Sequence, residues 1–445
     1  MIRNLTTGKP SKVLFFFALP MLLGNIFQQV YNIADSVIVG NFVGSDALAA
    51  VGGTFSIVYL AIGIATGAST GCSIIISQAF GAGNMRKVKS SITTALISVT
   101  CLGALMTILF FFFLKPLLTL LGTPDKIFNA SYNFISIVFF GCIFVFVYNC
   151  LAAIFNALGD SKIPLIFLIF STVLNVILDI LFVVKMNIGT NGAGYATLIS
   201  QVLAAISLFI YFLFRFKKIK CEGEVKLFDI KIAREMFGIA LPSIIQQTMV
   251  SIGMMAVQGL VNSHGTNMVA GYTAATKIDS IAIMPMLNIS IALSTYTAQN
   301  IGARNIKRVE QGFRASIMLV AVFSIIISIL LVVCGDVFVK LFISTNTNQE
   351  VIRFGSEYFK IVSVFYILMG VMFCSNGVLR GLGFMKIFMT CTIFNLASRI
   401  IFAYALTPFL GYKAIYWALP IGWLIGGMIS FVFVVRGKWK AKYIT

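Results

Sequence analysis

Gln78-Ala-Phe-Gly81-Ala82-Gly-Asn84-Met-Arg-Lys-Val88 and Gln299-Asn-Ile-Gly302-Ala303-Arg-Asn305-Ile-Lys-Arg-Val309 are two copies of one stretch, 221 residues apart. Five of the eleven positions are identical and basic residues align at two more. Each copy closes one long apolar run and opens another. Moving outward, Pro20 aligns with Pro242 at a shift of 222, Gly44 with Gly265 at 221, and Leu158-Gly159 with Leu382-Gly383 at 224. A shift held this steadily over most of the chain marks duplication of the whole protein.

The chain has 445 residues, 59% hydrophobic and 11% charged, against about 45 to 50% apolar and about 25% charged in an average soluble domain. An ordinary soluble enzyme is excluded. Crossing a bilayer takes about 20 apolar residues, and twelve such stretches follow one another, from 13–39 at the start to 412–435 at the end. Six fall in each copy. An even number starts both copies on the same side, so an axis along the membrane normal should relate them. The expected fold class is therefore all-α: a polytopic membrane protein with 12 transmembrane helices in two pseudo-symmetric six-helix lobes, residues 1–214 and 234–445. Residues 215–233, with Glu222, Glu224 and Asp229 among their bases, are expected to form a solvated linker. A cavity between two such halves is where a transporter takes up its cargo.

The net charge is +19, from 33 Lys and Arg against 14 Asp and Glu. With the N-terminus inside, 24 of those 33 bases lie in or beside cytoplasmic segments, among them Arg3, Arg86, Lys87, Lys220, Arg308 and Lys440. That bias is the positive-inside rule. It accounts for the charge without a nucleic-acid partner and places both termini in the cytoplasm of a cell-membrane protein. The first apolar run lacks a small-residue cleavage signal and reads as a retained helix. The eight cysteines form no CxxC pair, and all but Cys221 lie in apolar runs, which favours packing over metal or redox chemistry.

Within the spans, charge is expensive, about 2.5 to 3.5 kcal/mol per group at a helix centre. Only Asp35, Asp179 and Asp279 bear that cost among the acids. Asp35, Asp179 and Thr197 each fall four or five residues from the outer end of a span, so ~1.5 Å per residue puts all three at one level. Asn175 lies one turn before Asp179, on the same face. Two carboxylates in a low-dielectric pocket repel each other and lose hydration, so such a site takes up a proton. Its oxygens equally suit a hard cation such as Na+, with a backbone carbonyl from the Gly192-Ala193-Gly194 turn. Deeper in the second half, Asp279 and Arg399 could form a buried ion pair with Lys277 nearby, a possible polar cluster of either structural or functional use.

Gln28, Gln29, Tyr31 and Asn32 surround Asp35 and would face a cavity if the first helix lines one. Tyr148, Tyr366 and Met249, Met254, Met255, Met284 and Met286 are candidates for adaptable apolar surface in it. Pro20, Pro242 and Pro285 remove helix hydrogen bonds and permit bending. Gly63, Gly67 and Gly71, and Gly422 with Gly426, stand four apart and let helix backbones approach. No GxxxxGK[ST] loop, GxSxG or HExxH motif occurs, and His264 lies in an outer loop, so neither nucleotide hydrolysis nor other enzymatic activity is expected. No cofactor is expected beyond a coupling ion.

These features together resemble the MATE (multidrug and toxic compound extrusion) transporters over the whole chain. The resemblance is carried by the duplicated twelve spans, the Gln-x-x-Gly-Ala pair, and Asp35 followed by Val39-Gly40 and Asp46-Ala-Leu-Ala-Ala50. It implies a V-shaped pair of lobes with alternating access, exporting organic cations or other small amphiphiles in exchange for H+ or Na+; the chain is expected to work as a monomer. In the family's first-lobe cation site the matching residues are Asp35, Asn175, Asp179, Thr197 and the Ala193 carbonyl, and Pro20 matches a proline linked to bending of the first helix. One subgroup also has acids on helices 7 and 10. Here span 7 has none around Val250 and span 10 has Met369, so a second site of that kind is not expected. The alternative reading is a flippase or exporter of a lipid-linked or amphiphilic metabolite, which would call for several arginines facing the cavity.

Overall fold

The duplicated stretch is a helix end followed at once by a helix start. In the computed structural model, which describes residues 4–219, 221, 223–340 and 349–444, α2 (Ser45–Gly81) stops and α3 (Met85–Leu120) begins across it. Asn84 Oδ1 accepts the Lys87 N–H at 2.9 Å and so caps α3. In the second copy, α10 (Met284–Gly302) stops and α11 (Ile306–Lys340) begins. There Asn305 Oδ1 accepts the Arg308 N–H at 3.2 Å. The reversal between the helices needs a left-handed residue, supplied by Gly83 (φ 70°) and by Arg304 (φ 56°). Turn chemistry is thus what the duplication has kept. Gly44 and Gly265 tell the same story at φ 116° and 91°, each immediately before a helix.

The remaining helices are α1 (Pro10–Phe42), α4 (Asp125–Phe140), α5 (Cys142–Ala157), α6 (Lys162–Asp179), α7 (Thr190–Lys217), α8 (Ile230–Asn262), α9 (Thr266–Ala282), α12 (Gln349–Val362), α13 (Tyr366–Gly381), α14 (Met385–Leu410), α15 (Lys413–Arg436) and the single turn α16 (Ala441–Ile444). No strand occurs among the described residues. Eleven helical stretches are long and apolar enough to cross a bilayer, and α4 with α5, bent by 48° at Gly141, makes a twelfth. Arg3, Lys220 and Glu222 lie outside the described residues.

Packing divides the chain into a first unit, Leu23–Ile244, and a second, Asn4–Leu22 with Ile245–Thr445. These bounds differ from the halves read in the sequence. The first part of α1 packs in the second unit, and residues 215–233 with the first part of α8 pack in the first. Both handovers come two residues after a proline, Pro20 in α1 and Pro242 in α8.

The linker is exposed yet not loose. Arg86 Nε donates to the Glu224 carbonyl at 2.8 Å, Thr93 Oγ1 to the Lys226 carbonyl at 3.2 Å, and the Asp229 N–H donates to Thr94 Oγ1 at 3.0 Å. The linker is the solvated connector expected, and these bonds tie it as a strap along α3. The second unit has a matching strap. Arg308 reaches the carbonyls of Gly8 (2.9 Å), Thr7 (3.1 Å) and Leu5 (3.2 Å), while Gln299 Oε1 accepts the Leu5 N–H at 3.0 Å. Small residues close the packing. A Cβ on Gly71 would lie 2.7 Å from the backbone of Met236 and Ala240 in α8, and one on Gly426 would lie 2.7 Å from Asn395 Cβ in α14.

Candidate cation site

The first unit gathers its polar residues where a helix goes irregular. α6 ends at Asp179 and continues as a π-helical turn, Ile180–Lys185, before the chain turns back into α7. Insertions of this kind recur at functional positions because they free backbone groups and re-aim side chains. The first turn of α7 lies tight against the π turn. A Cβ on Gly192 would meet the Phe182 backbone at 3.1 Å, and Ala193, next to it, is fully buried one turn before Thr197.

Asn175 joins two of the helices. Its amide nitrogen donates to Asp179 Oδ2 at 3.0 Å, and its oxygen accepts the Thr197 N–H at 3.3 Å. From α1, the Tyr31 hydroxyl meets Thr197 Oγ1 at 3.0 Å. Asp35, one turn beyond Tyr31, lies within electrostatic range of Asp179. Asn175 and Asp179 are fully buried, Thr197 is 6% exposed and Asp35 8%. The structure thus brings together Asp35, Asn175, Asp179 and Thr197, as the depth arithmetic expects, and adds Tyr31.

One oxygen on each acid, Asp35 Oδ1 and Asp179 Oδ1, is buried without a hydrogen-bond partner. Among the described residues no basic group lies in range of either carboxylate. Buried acceptors without donors are costly. Two carboxylates, an amide oxygen and a hydroxyl are a donor set suited to a proton or to a hard monovalent cation.

The other candidates have various settings. Gln28 is exposed and Gln29 is paired with Asn32 at 3.4 Å. Tyr148 spends its hydroxyl on the Pro164 carbonyl at 2.9 Å, tying α5 to α6. Met255 is 57% exposed and Met254 54%, whereas Met284 and Met286 are buried and Met249 is intermediate. Tyr366 does not face an open surface. It is fully buried, and its hydroxyl donates to Asp279. Sequence reading missed Gln201, one turn after Thr197, whose Oε1 is also buried without a partner. The four-residue step from Thr197 was the available signal.

In the second unit the expected ion pair does not form. Among the described residues no salt bridge joins Asp279 to Arg399 or to Lys277. Lys277 is exposed because it is two residues from Asp279 on α9, and such neighbours point to different sides of a helix. Arg399 stays in electrostatic range of Asp279, and its Nε is buried without a partner.

The MatE family model matches residues 20–181 and 242–405, one match in each copy of the repeat. The probable multidrug resistance protein YpnP of Bacillus subtilis (strain 168) is 31% identical over 98% of both chains. The multidrug export protein MepA of Staphylococcus aureus (strain MSSA476) is 22% identical over 92% of this chain and 90% of its own. Among solved structures, a MOP superfamily transporter from Pyrococcus furiosus overlays with a TM-score of 0.91 at 23% identity, covering 98% of each chain. A MATE transporter in complex with MaL6 overlays at 0.92, with 24% identity and 99% of each chain.

Proposed function

This chain belongs to the MATE family, and from that membership we propose that it exports drug-like amphiphiles or organic cations by antiport against protons or sodium. The observation that carries the reading is the pair of buried, unpartnered carboxylate oxygens at Asp35 and Asp179. An ion entering from outside binds between these carboxylates. Asn175 orients Asp179, Thr197 and Tyr31 supply hydroxyls, and the Ala193 carbonyl is a further ligand for sodium.

Neutralising the two acids changes the free energy of whichever conformation holds them together. The ion shifts the population only by its differential affinity for the two access states. Substrate leaves to the outside as the ion binds, and the ion is released inside. Pro20 and Pro242, each just before its helix passes from one unit to the other, are the points at which α1 and α8 flex. The bases on the linker and after α15 keep both termini in the cytoplasm of a cell-membrane protein.

The test is dye efflux from vesicles carrying the full-length protein, with sodium and proton gradients imposed separately. One gradient is expected to drive efflux. Asp35→Asn and Asp179→Asn are each expected to reduce it to the empty-vesicle rate while the protein still inserts. Undiminished efflux by either variant overturns the assignment.

A further inference from the structure

A third acid within a span has no place in that scheme. Asp279 ends its helix: α9 stops three residues later, and Pro285 at the start of α10 deprives the junction of a backbone donor. Its hydrogen-bond partner, Tyr366, is the first residue of α13, directly after the 3-10 turn Ser363–Phe365 that interrupts α12 and α13. The site therefore lies where two spans break, as Asp179 does in the first unit.

Four helices supply its surroundings. Among the described residues, the ionisable groups in range of Asp279 are Tyr272 on α9 itself, Tyr358 on α12, Tyr366 on α13 and Arg399 on α14. All three tyrosines are buried, and Tyr272 packs edge-on against Tyr358 at 5.9 Å. Glu357 in the same unit shows what a structural acid looks like here. It has Arg353 at 3.0 Å, Lys413 at 3.4 Å and the Tyr412 hydroxyl at 2.7 Å. Asp279 has phenols instead, with the Arg399 guanidinium in range but, among the described residues, no salt bridge to it.

That set suits a proton better than a metal cation. The Tyr366 hydroxyl is spent on the carboxylate, and Arg399 repels any cation placed at the acid. A proton needs one oxygen and adds no volume. We propose that Asp279, held by the Tyr366 hydroxyl with Tyr358 and Arg399 alongside, is a second proton-binding site, separate from the cluster in the first unit. The proton adds to one Asp279 oxygen from the aqueous phase and returns to water on release, while Tyr366 keeps its own. Use of this site in transport rests on the antiport reading, whereas proton binding itself does not.

The decisive experiment is infrared difference spectroscopy of the full-length protein in lipid, stepping pH through neutrality and following the carbonyl stretch of protonated carboxyls. A band is expected to survive in the Asp35→Asn/Asp179→Asn double variant, to disappear in Asp279→Asn, and to change frequency in Tyr366→Phe as its hydrogen bond changes. Loss of every such band in the double variant overturns the proposal, as does a band unaffected by Tyr366→Phe. The second result decides the matter if Asp279→Asn fails to fold. A band displaced by sodium at constant pH overturns the assignment to a proton. In transporting vesicles, Asp279→Asn is expected to carry about one proton fewer per substrate, a count that leaves the roles of Asp35 and Asp179 untouched.

Discussion

In the first unit two carboxylates cluster with an amide, two hydroxyls and no base; in the second a single carboxylate meets phenols and a guanidinium. The two clusters do not descend from one duplicated site. At the 221-residue shift Asp279 falls opposite Val58, and at 224 Asp179 falls opposite Ala403. One position is common to both: at the 224-residue shift Asn175 coincides with Arg399. The fifth span of each copy thus carries the residue that decides what its neighbouring acid can bind. An amide, which both donates and accepts, leaves room for a cation, while a guanidinium only donates and repels one.

The sharpest way to break this comparison is to give the first unit the second unit's residue. Asn175→Arg puts a permanent cation on the residue whose amide now bonds Asp179 Oδ2 at 3.0 Å. Efflux is expected to fall to the empty-vesicle rate in a protein that still inserts and elutes as a single species. Retained ion-driven efflux would mean that the nature of the residue at 175 does not select the ion. A smaller effect should follow at Tyr31, whose hydroxyl is bound to Thr197 at 3.0 Å. Tyr31→Phe removes one hydrogen bond, worth about 1 kcal/mol, or roughly a fivefold change in equilibrium. The ion concentration for half-maximal efflux is expected to rise by about that factor, with the maximal rate kept. An unchanged half-saturation would return Tyr31 to the substrate-facing group in which its sequence position first placed it.

Much of the first cluster was legible because depth can be counted along a span. Asp35, Asp179 and Thr197 share a distance from the outer ends of three helices, and Asn175 follows from the helical repeat. Tyr31 could have been read the same way, one turn from Asp35. The second cluster was harder. Its acid and base are both visible as charges in apolar runs, but pairing depends on rotation about each helix and on the breaks at Ile283 and Ser363–Phe365, which hydrophobicity does not record. The handover of α1 and α8 between units was hidden for a related reason: an apolar helix carries no mark of which neighbour buries it. Only the prolines, 222 residues apart, pointed there.

The straps extend the contrast between units to their surfaces. The second unit's strap is gripped by Arg308 through the carbonyls of Leu5, Thr7 and Gly8. The first unit's strap ends at Asp229, which caps α8 through the N–H groups of Lys231 (2.9 Å) and Ile232 (3.4 Å) and lies 3.9 Å from Lys226. Desolvation alone would raise the Asp229 carboxyl; the bonds from Ile232 and Lys231 and the charges of Lys226 and Lys231 outweigh it and hold the group below the usual carboxylate range. A lowered folded-state pKa adds stability at pH values above the unfolded one, and that contribution disappears as acid carries pH down through the folded value. Asp229→Ala is therefore expected to lower the melting temperature slightly at neutral pH, with the gap from wild type closing toward pH ~3. Arg308→Ala should instead leave a deficit that does not depend on pH over the same range. Parallel curves for Asp229→Ala and wild type would show that the cap contributes nothing through its charge, and that the two straps are held alike.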